Sequence, residues 1–463
     1  MLKKNDIIRL NINDLTNLGF GVGRHEGAVV FVSDTVPGDT VDAKVILAKG
    51  SYYVARVERF IKKSEMRCEG RCDNSACKSC AYKNISYEDE LRLKENIIRD
   101  AFVHEGLSEV AIRGVIPSPL TKNYRNKAQY PISIGRDGEY VVGFYAPKSH
   151  RVTEARCCPL SPTVFGEIID VLVDYFKKNR ISVYNEETGE GLLRHIYLRR
   201  GEVSSEILLT LVINGKSLPD ESGLVKLIKE SFPDVVGVLI NTNTKRTNVI
   251  LGDSYRVVFG RDHIYDTLRG VRLKITSPSF YQVNRSAAEL LYGKATELLS
   301  PKGDELVLDL FCGAGSIGLS MAENIGELIG IEIVESAVEC ARENAASNGI
   351  SHAKFYTGDA SDTEKLLSVA ERELGKEIVP DAIILDPPRA GCDERLVRFA
   401  SSLNPKKIVY ISCNPATLAR DCKRFKEFGY VTEEAFGVDL FPMTGHVESV
   451  VSLTRRLDVD MRR

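Results

Sequence analysis

Apolar and polar positions alternate regularly along the C-terminal part of the chain. From about Leu273 onward, short apolar runs bounded by glycine, proline or charge are separated by longer segments with helical spacing. The pattern predicts a helix at 285–299, a strand over ELVLDLF, a helix from Ser316, a strand over ELIGIEI and a helix at 335–348. KFYTG then reads as a strand, 362–374 as a helix, DAIILD as a strand and 393–403 as a helix; KIVYIS, helix 416–428 and a closing ESVVSLTR strand follow. This alternation predicts an α/β domain with a doubly wound, mostly parallel sheet. In such sheets ligands sit outside the carboxyl ends of the strands.

The N-terminal pattern is different. Gly19, Gly21, Gly23, Gly27 and Pro37-Gly38 break short apolar stretches such as AVVFVS and TVDAKVILA, and five or so strands in sixty residues predict a small β-barrel. Four cysteines (Cys68, Cys72, Cys77, Cys80) come next, then a charged helix at 86–104 with apolar Leu91, Leu93, Ile97 and Ile98. From Thr121 to Arg269 strand-like runs (QYPISI, EILLTLVI) mix with helical ones (TVFGEIIDVLVDYFKKN). The reading is a barrel over 1–61, an α+β central domain over 62–270 and a Rossmann-like domain over 271–463, with helix 86–104 available to pack on the last. No internal repeat or low-complexity linker intervenes.

Composition adds less. The 463 residues are 43% hydrophobic and 27% charged, as in ordinary globular proteins. No apolar run reaches the roughly 18–20 residues of a membrane span, and the N-terminus lacks the pattern of a signal peptide, so a cytoplasmic protein is expected. Eleven cysteines then point to metal binding or catalysis rather than to disulfides. The net charge of −2 gives no hint of a nucleic-acid partner. Basic residues occur in short groups: Tyr124-Arg125-Asn126-Lys127, Arg194-His195 with Arg199-Arg200, and Lys245-Arg246. Each taken alone reads as a solvated loop.

Candidate chemistry lies at the predicted strand ends. The segment from Asp309 to Gly318 (DLFCGAGSIG) leaves a strand through a glycine-rich turn and enters a helix. A G-x-G-x-x-G turn serves dinucleotides, whose pyrophosphate meets the helix N-terminus, or S-adenosylmethionine, whose amino-acid moiety needs close backbone approach. Either ligand wants an acid at the next strand end for its ribose, and Glu332 stands there. Further on, DAIILD ends in Asp386-Pro387-Pro388-Arg389, KIVYIS ends in Cys413-Asn414-Pro415, and Glu448 opens the last strand. A cysteine is often a buried small hydrophobe and D-P-P is often a plain loop. A nucleophile and two carboxylates on one rim instead suit methylation of carbon 5 of uracil. That carbon is a poor nucleophile until a thiolate adds to carbon 6. In this reading Cys413 is the nucleophile, Glu448 the base that removes the carbon 5 proton, and Asp386 the group that orients the ring.

These segments closely resemble the RNA 5-methyluridine (uracil-C5) methyltransferase family, most of all its 23S rRNA members. DLFCGAGSIGL is similar to the family's cofactor turn, DPPRAG to its base-binding loop, ISCNP to its nucleophile strand and FPMTGHVE to its general-base motif. SPSFYQVN matches its F-x-Q-V-N segment. The resemblance implies S-adenosylmethionine as cofactor, with Gln282, Phe311, Gly313, Gly315, Glu332, Asp359 and Asp386 around it. Residues 1–60 resemble a TRAM domain, an RNA-binding barrel, and NYRNKAQY and GFYAPKSH resemble central-domain segments. RNA is therefore the expected partner of a monomeric enzyme. The target uridine would be flipped out, with Tyr124 or Phe280 as stacking candidates that serve equally as core residues. Many members also hold an iron–sulfur cluster by C-x-n-C-x-x-C plus a cysteine before proline. Here Cys72, Cys77, Cys80 and Cys158 fit, with Cys68 as an alternative to Cys72, although C-K-S-C replaces the usual C-G-G-C. Four thiolates suit a [4Fe-4S] cubane or a structural zinc.

The target stays open between 23S rRNA and the transfer-RNA T loop. The barrel and cysteine cluster favour 23S rRNA, because the transfer-RNA enzymes of this type commonly lack both. An amino-methylating enzyme with an N/D-P-P-Y loop would need no cysteine. An NAD-dependent oxidoreductase or a non-catalytic RNA chaperone would leave Asp386, Cys413 and Glu448 without roles.

Overall fold

The computed structural model describes residues 2–74, 76–146 and 149–456. Pro147 and Lys148 of GFYAPKSH, and the end of the 271–463 range, lie outside the described residues.

The N-terminal sheet has six strands, in the spatial order Ile7–Asn11, Thr40–Ala48, Tyr52–Lys62, Ala28–Ser33, Phe20–His25 and Asp14–Leu15. The two outer strands are consecutive in the chain. Residues 7–11 pair with 40–44, and Asp14 and Leu15 pair with Val22 and Gly21. One short segment thus touches both edges and closes the sheet into a barrel, which removes the exposed edges. Strict alternation puts Val30, Val32, Val41, Ala43, Val45 and Ala55 inside.

The central sheet has seven strands, ordered Val152–Glu154, Tyr140–Tyr145, Lys127–Ile134, Leu193–Arg200, Ile207–Ile213, Val235–Thr242 and Ser254–Gly260. Helices Thr163–Lys178 and Glu221–Ser231 cover one face, through Phe165, Ile169, Leu172, Phe176, Leu224 and Ile228. The strand Leu193–Arg200 also carries Tyr197 and Arg199. The Tyr197 hydroxyl donates to the Ser277 carbonyl at 2.6 Å, and Arg199 bonds the Ser279 carbonyl. Asn126 grips the same connection, its amide N donating to the Val283 carbonyl at 2.8 Å and its Nδ2 to that of Gln282 at 2.7 Å.

The C-terminal sheet has eight strands, in the order Ala353–Thr357, Glu327–Glu332, Leu306–Leu310, Ala382–Leu385, Lys407–Ser412, Glu448–Arg455, Tyr430–Val438 and Ala111–Ile116. The first five are parallel, and Glu448–Arg455 runs antiparallel to both its neighbours. This is a Rossmann-like sheet whose parallel strands are buried on both faces.

The helix that begins at Ser316 ends at Ser320, and a 3-10 turn at Ala322–Asn324 follows. Two details differ from the sequence pattern. The strand Tyr430–Val438 is hidden in the sequence by a bulge between Thr432 and Ala435, which breaks its period of two. The strand Ala111–Ile116 falls inside the 62–270 range, yet it completes the C-terminal sheet by pairing in parallel with Tyr430–Val438. The helix Tyr87–His104 belongs with it: Ile98 and Phe102 sit in one core with Leu418, Phe425 and Ala435.

Candidate active site

Sheet topology brings the three chemical residues together. Asp386 follows the strand Ala382–Leu385 and Cys413 follows Lys407–Ser412, so both emerge at carboxyl ends. Glu448 begins an antiparallel strand, and its amino end lies at the same rim. Ser412 pairs with Ser449, so the next step of the register sets Cys413 opposite Glu448. All three line one cavity of about 850 Å³.

The loop holding Asp386 is stitched to the helix Pro415–Glu427. Asn414 Nδ2 donates to the Arg389 carbonyl at 3.1 Å, Arg420 donates to that of Ala390 at 2.8 Å, and the Cys392 amide donates to Asp421 at 2.8 Å. The Tyr410 hydroxyl donates to the same Asp421 oxygen at 2.8 Å. Fully buried Asp421 is thereby the anchor for the Asp-Pro-Pro-Arg loop.

The glycine turn borders the same cavity. The Glu332 carboxylate accepts from the Gly313 amide at 3.1 Å and the Val334 amide at 2.9 Å, which ties the turn to the next strand end. A Cβ on Gly313 would meet nothing within 4 Å, so its backbone opens onto free space; this suits a ligand that approaches the main chain. Gly315 has φ +80° and caps the following short helix. A side chain there would press on Leu319 at 2.9 Å and on the Phe355 ring at 3.2 Å. Gly315 does not line the cavity; Gln282, Phe311, Glu332 and Asp359 do.

Burial sets the protonation of the site. It pushes the Glu448 carboxyl up to about 8, helped by Asp386 and opposed by Arg389. Burial alone lifts Asp386 to about 7, and burial together with Asp386 lifts Asp309 to about 7. The Cys413 thiol is also raised, first by burial and then by Glu448, while the Arg389 guanidinium pulls it down. A thiol, two proton-exchanging carboxyls and one cation facing the thiol form a set able to add to and leave an electron-poor ring.

Other residues of the cavity carry weight that the sequence pattern did not give them. Arg389 sits three residues from Asp386 inside a segment singled out for its acid. Lys127 lines the wall, pushed down to about 8 by burial and by the nearby Arg199 and Arg125. Of the two stacking candidates, Phe280 is 65% exposed and borders the cavity. Tyr124 is instead buried, its hydroxyl donating to the Pro442 carbonyl at 3.0 Å, and is a packing residue.

A second, smaller cavity of about 130 Å³ is lined by Cys72, Cys77, Cys80, Cys157 and Cys158, with Arg125 and Pro159. Burial and then the neighbouring Cys158, Cys77 and Cys72 lift the Cys80 thiol to about 12. Cys68 is not part of this lining; its amide donates to the Asn84 carbonyl at 3.1 Å.

Comparison with known proteins settles the family. The family model described as tRNA (Uracil-5-)-methyltransferase matches residues 87–456, and that of the TRAM domain matches residues 2–57. This chain belongs to the tRNA (uracil-5-)-methyltransferase family. It is an S-adenosylmethionine-dependent RNA (uracil-5-)-methyltransferase with an N-terminal TRAM domain. It is 37% identical over 456 residues to an "Uncharacterized RNA methyltransferase" of Bacillus cereus, covering 98% of both chains. A protein of the same description from Clostridium acetobutylicum is 36% identical over 461 residues, covering 99% of this chain and 98% of that one. Among solved structures, the Pyrococcus abyssi tRNA (uracil-54, C5)-methyltransferase in complex with S-adenosyl-L-homocysteine is similar, with a TM-score of 0.78 and 28% identity. The match covers 96% of this chain and 100% of that one. No helix among the described residues is long and apolar enough to cross a membrane.

The raised carboxyls have a measurable consequence. Asp309, Asp386 and Glu448 bind protons in the folded chain that they release when unfolded, so their stabilising effect is complete below about pH 4 and is lost as pH rises through about 7 to 8. The melting temperature of the ligand-free enzyme should therefore fall between pH 5 and 9, and Glu448→Gln should flatten the upper part of that fall. A Glu448→Gln profile parallel to that of the wild type would contradict the assignment for Glu448.

Proposed function

We propose that this enzyme methylates carbon 5 of one uridine in structured RNA through a covalent Cys413 adduct. The observation that carries the reading is the convergence of Cys413, Glu448 and Asp386 in one cavity with the glycine turn. When bound, S-adenosylmethionine supplies an electrophilic methyl group. Gln282, Phe311, Gly313, Glu332 and Asp359 would hold it, with Gly315 shaping the turn beneath.

In this mechanism the Cys413 thiol loses its proton to solvent, Arg389 favours the resulting thiolate, and the thiolate bonds to carbon 6 of the uracil. The electron pair displaced from the ring double bond makes carbon 5 nucleophilic. Carbon 5 takes the methyl group as the methyl's bond to the sulfonium sulfur breaks and S-adenosylhomocysteine is left. Asp386 hydrogen-bonds the ring imide and orients it. Glu448 then takes the carbon 5 proton, the double bond re-forms, and the bond from sulfur to carbon 6 breaks to regenerate the thiolate. Phe280 at the rim offers a flat apolar surface beside the flipped base.

We further propose that Cys72, Cys77, Cys80 and Cys158 hold a [4Fe-4S] cluster. Their fit rests on all four lining one small cavity with Arg125 beside them. A structural zinc would take the same four thiolates, and the resemblance to cluster-bearing members is what favours iron–sulfur. The cluster would brace the central domain and takes no part in methyl transfer.

For the target we keep 23S rRNA as the first reading. The full-length likeness to a transfer-RNA enzyme supports a second: the match with the Pyrococcus abyssi protein spans barrel and central domain alike. The barrel and cysteine segment therefore do not by themselves exclude transfer RNA. Mapping 5-methyluridine in cells deleted for the gene should show its loss from one position in 23S rRNA. Loss from the T loop of transfer RNA would overturn the ribosomal assignment.

Cys413→Ala should abolish turnover with cofactor affinity nearly unchanged, since no cofactor contact is removed. Asp386→Asn should lose roughly ten- to a hundredfold in single-turnover rate, the worth of one charge-assisted hydrogen bond of about 1.5–3 kcal/mol. Methylation by Cys413→Ala at a near-normal rate would remove the covalent route. Protein purified without oxygen should be brown and hold about four irons, and replacing Cys77, Cys80 or Cys158 should bleach it. Colourless anaerobic protein with one zinc would contradict the cluster.

A further inference from the structure

The segment from Asp439 to Val447 carries Glu448 into the cavity, yet it is neither helix nor strand. Its position has to be fixed by other contacts. On the helix Tyr87–His104, Glu90 and Lys94 lie one turn apart, and neither side chain is exposed at all. Lys94 Nζ donates to Glu90 Oε1 at 2.8 Å, to Asp439 Oδ1 at 2.6 Å and to the Phe441 carbonyl at 3.1 Å. Its three donor positions are thereby filled. The two carboxylates reach the backbone of the same turn: Glu90 Oε1 accepts from the Met443 amide at 2.7 Å, and Asp439 Oδ1 from the Phe441 amide at 3.1 Å. Arg71 pairs with the second Glu90 oxygen, so two cations face two anions.

The far side of the turn is held as firmly. The Tyr82 amide donates to the Met443 carbonyl at 2.9 Å, and the Tyr124 hydroxyl to that of Pro442 at 3.0 Å. Met443, at φ +68°, packs with Cys80, Tyr124 and Leu160. A non-glycine residue keeps such a backbone only where its surroundings over-determine it.

A buried ion pair of this kind seldom adds net stability over well-packed apolar side chains, because desolvation offsets the attraction. What this one does specify is the path of residues 439–443. We propose that Lys94 is a positioning residue for proton abstraction: gripping Asp439 and the Phe441 carbonyl, it fixes the turn that delivers Glu448 to carbon 5 of the uracil. The inference rests on the reading of Glu448 as the base. Lys94 does not line the cavity and touches neither ring nor cofactor site. Its loss leaves thiol addition and methyl transfer in place. It slows the step in which Glu448 takes the carbon 5 proton, the electron pair re-forms the ring double bond, and the Cys413 thiolate departs from carbon 6.

The test uses the full chain, radiolabelled S-adenosylmethionine, and ribosomal and transfer RNA from cells deleted for the gene. Denaturing gels separate methylated RNA still bound to protein from released product. Lys94→Met should raise the bound fraction about tenfold or more over wild type, the mark of a slowed release step, with cofactor affinity within about twofold. A methionine at 94 leaves Glu90 and Asp439 facing each other, so Asp439→Asn is tested beside it; that variant keeps the Oδ1 acceptor and should raise the bound fraction less. Folded variants whose turnover falls with no rise in bound RNA would overturn the proposal, since a purely structural role lowers all steps together. Glu448→Gln serves as reference. If it traps the adduct and both other variants do not, the role of Lys94 falls alone; if Glu448→Gln traps none, the reading of Glu448 falls and takes this one with it.

Discussion

The last strand enters the C-terminal sheet between Lys407–Ser412 and Tyr430–Val438, antiparallel to both. Parallel strands offer a ligand only their carboxyl ends; one reversed strand adds a residue from its amino end to the same rim. The pairing of Ser412 with Ser449 fixes the register, and with it the approach of Cys413 to Glu448. A slip of one residue would turn Glu448 to the opposite face of the sheet.

Burial at that rim changes what its side chains are. Glu448 at about 8 and Asp386 at about 7 hold protons near neutrality in the ligand-free enzyme. Arg389 is the counterweight, lowering both Glu448 and Cys413. A carboxyl pushed up in this way must first give up its proton to serve as the proposed base, and then binds one strongly, as removal of a weakly acidic ring proton requires. The same burial raises the Cys413 thiol, so the proposed nucleophile depends on Arg389 to favour its thiolate.

Much of this was legible in the sequence because strand ends leave local signatures. Asp386, Cys413 and Glu448 each adjoin an apolar run, and the strand–helix alternation alone places the first two on one rim. The glycine turn was equally visible. Features that depend on distant pairing were not. The strand Ala111–Ile116 joins the sheet through Tyr430–Val438, more than three hundred residues along the chain, and no local periodicity encodes that partner. Burial of charge escaped for a related reason. Lys94 and Glu90 lie on a helix that reads as charged, Lys127 lies in a group that reads as solvated, and Arg389 lies in a loop singled out for its acid. Only the packed structure reveals that Lys94 and Glu90 have no exposed side chain.

The account turns on a covalent bond between Cys413 and carbon 6 of the target uracil, and that bond can be observed directly. The enzyme would be incubated with S-adenosylmethionine and RNA from gene-deleted cells grown to incorporate 5-fluorouridine, whose fluorine replaces the proton that Glu448 must remove. After nuclease and protease digestion, mass spectrometry should find one peptide spanning Cys413 that carries a methylated fluorouridine nucleotide. Methylated fluorouridine recovered free of protein, or an adduct on any other cysteine, would contradict the account.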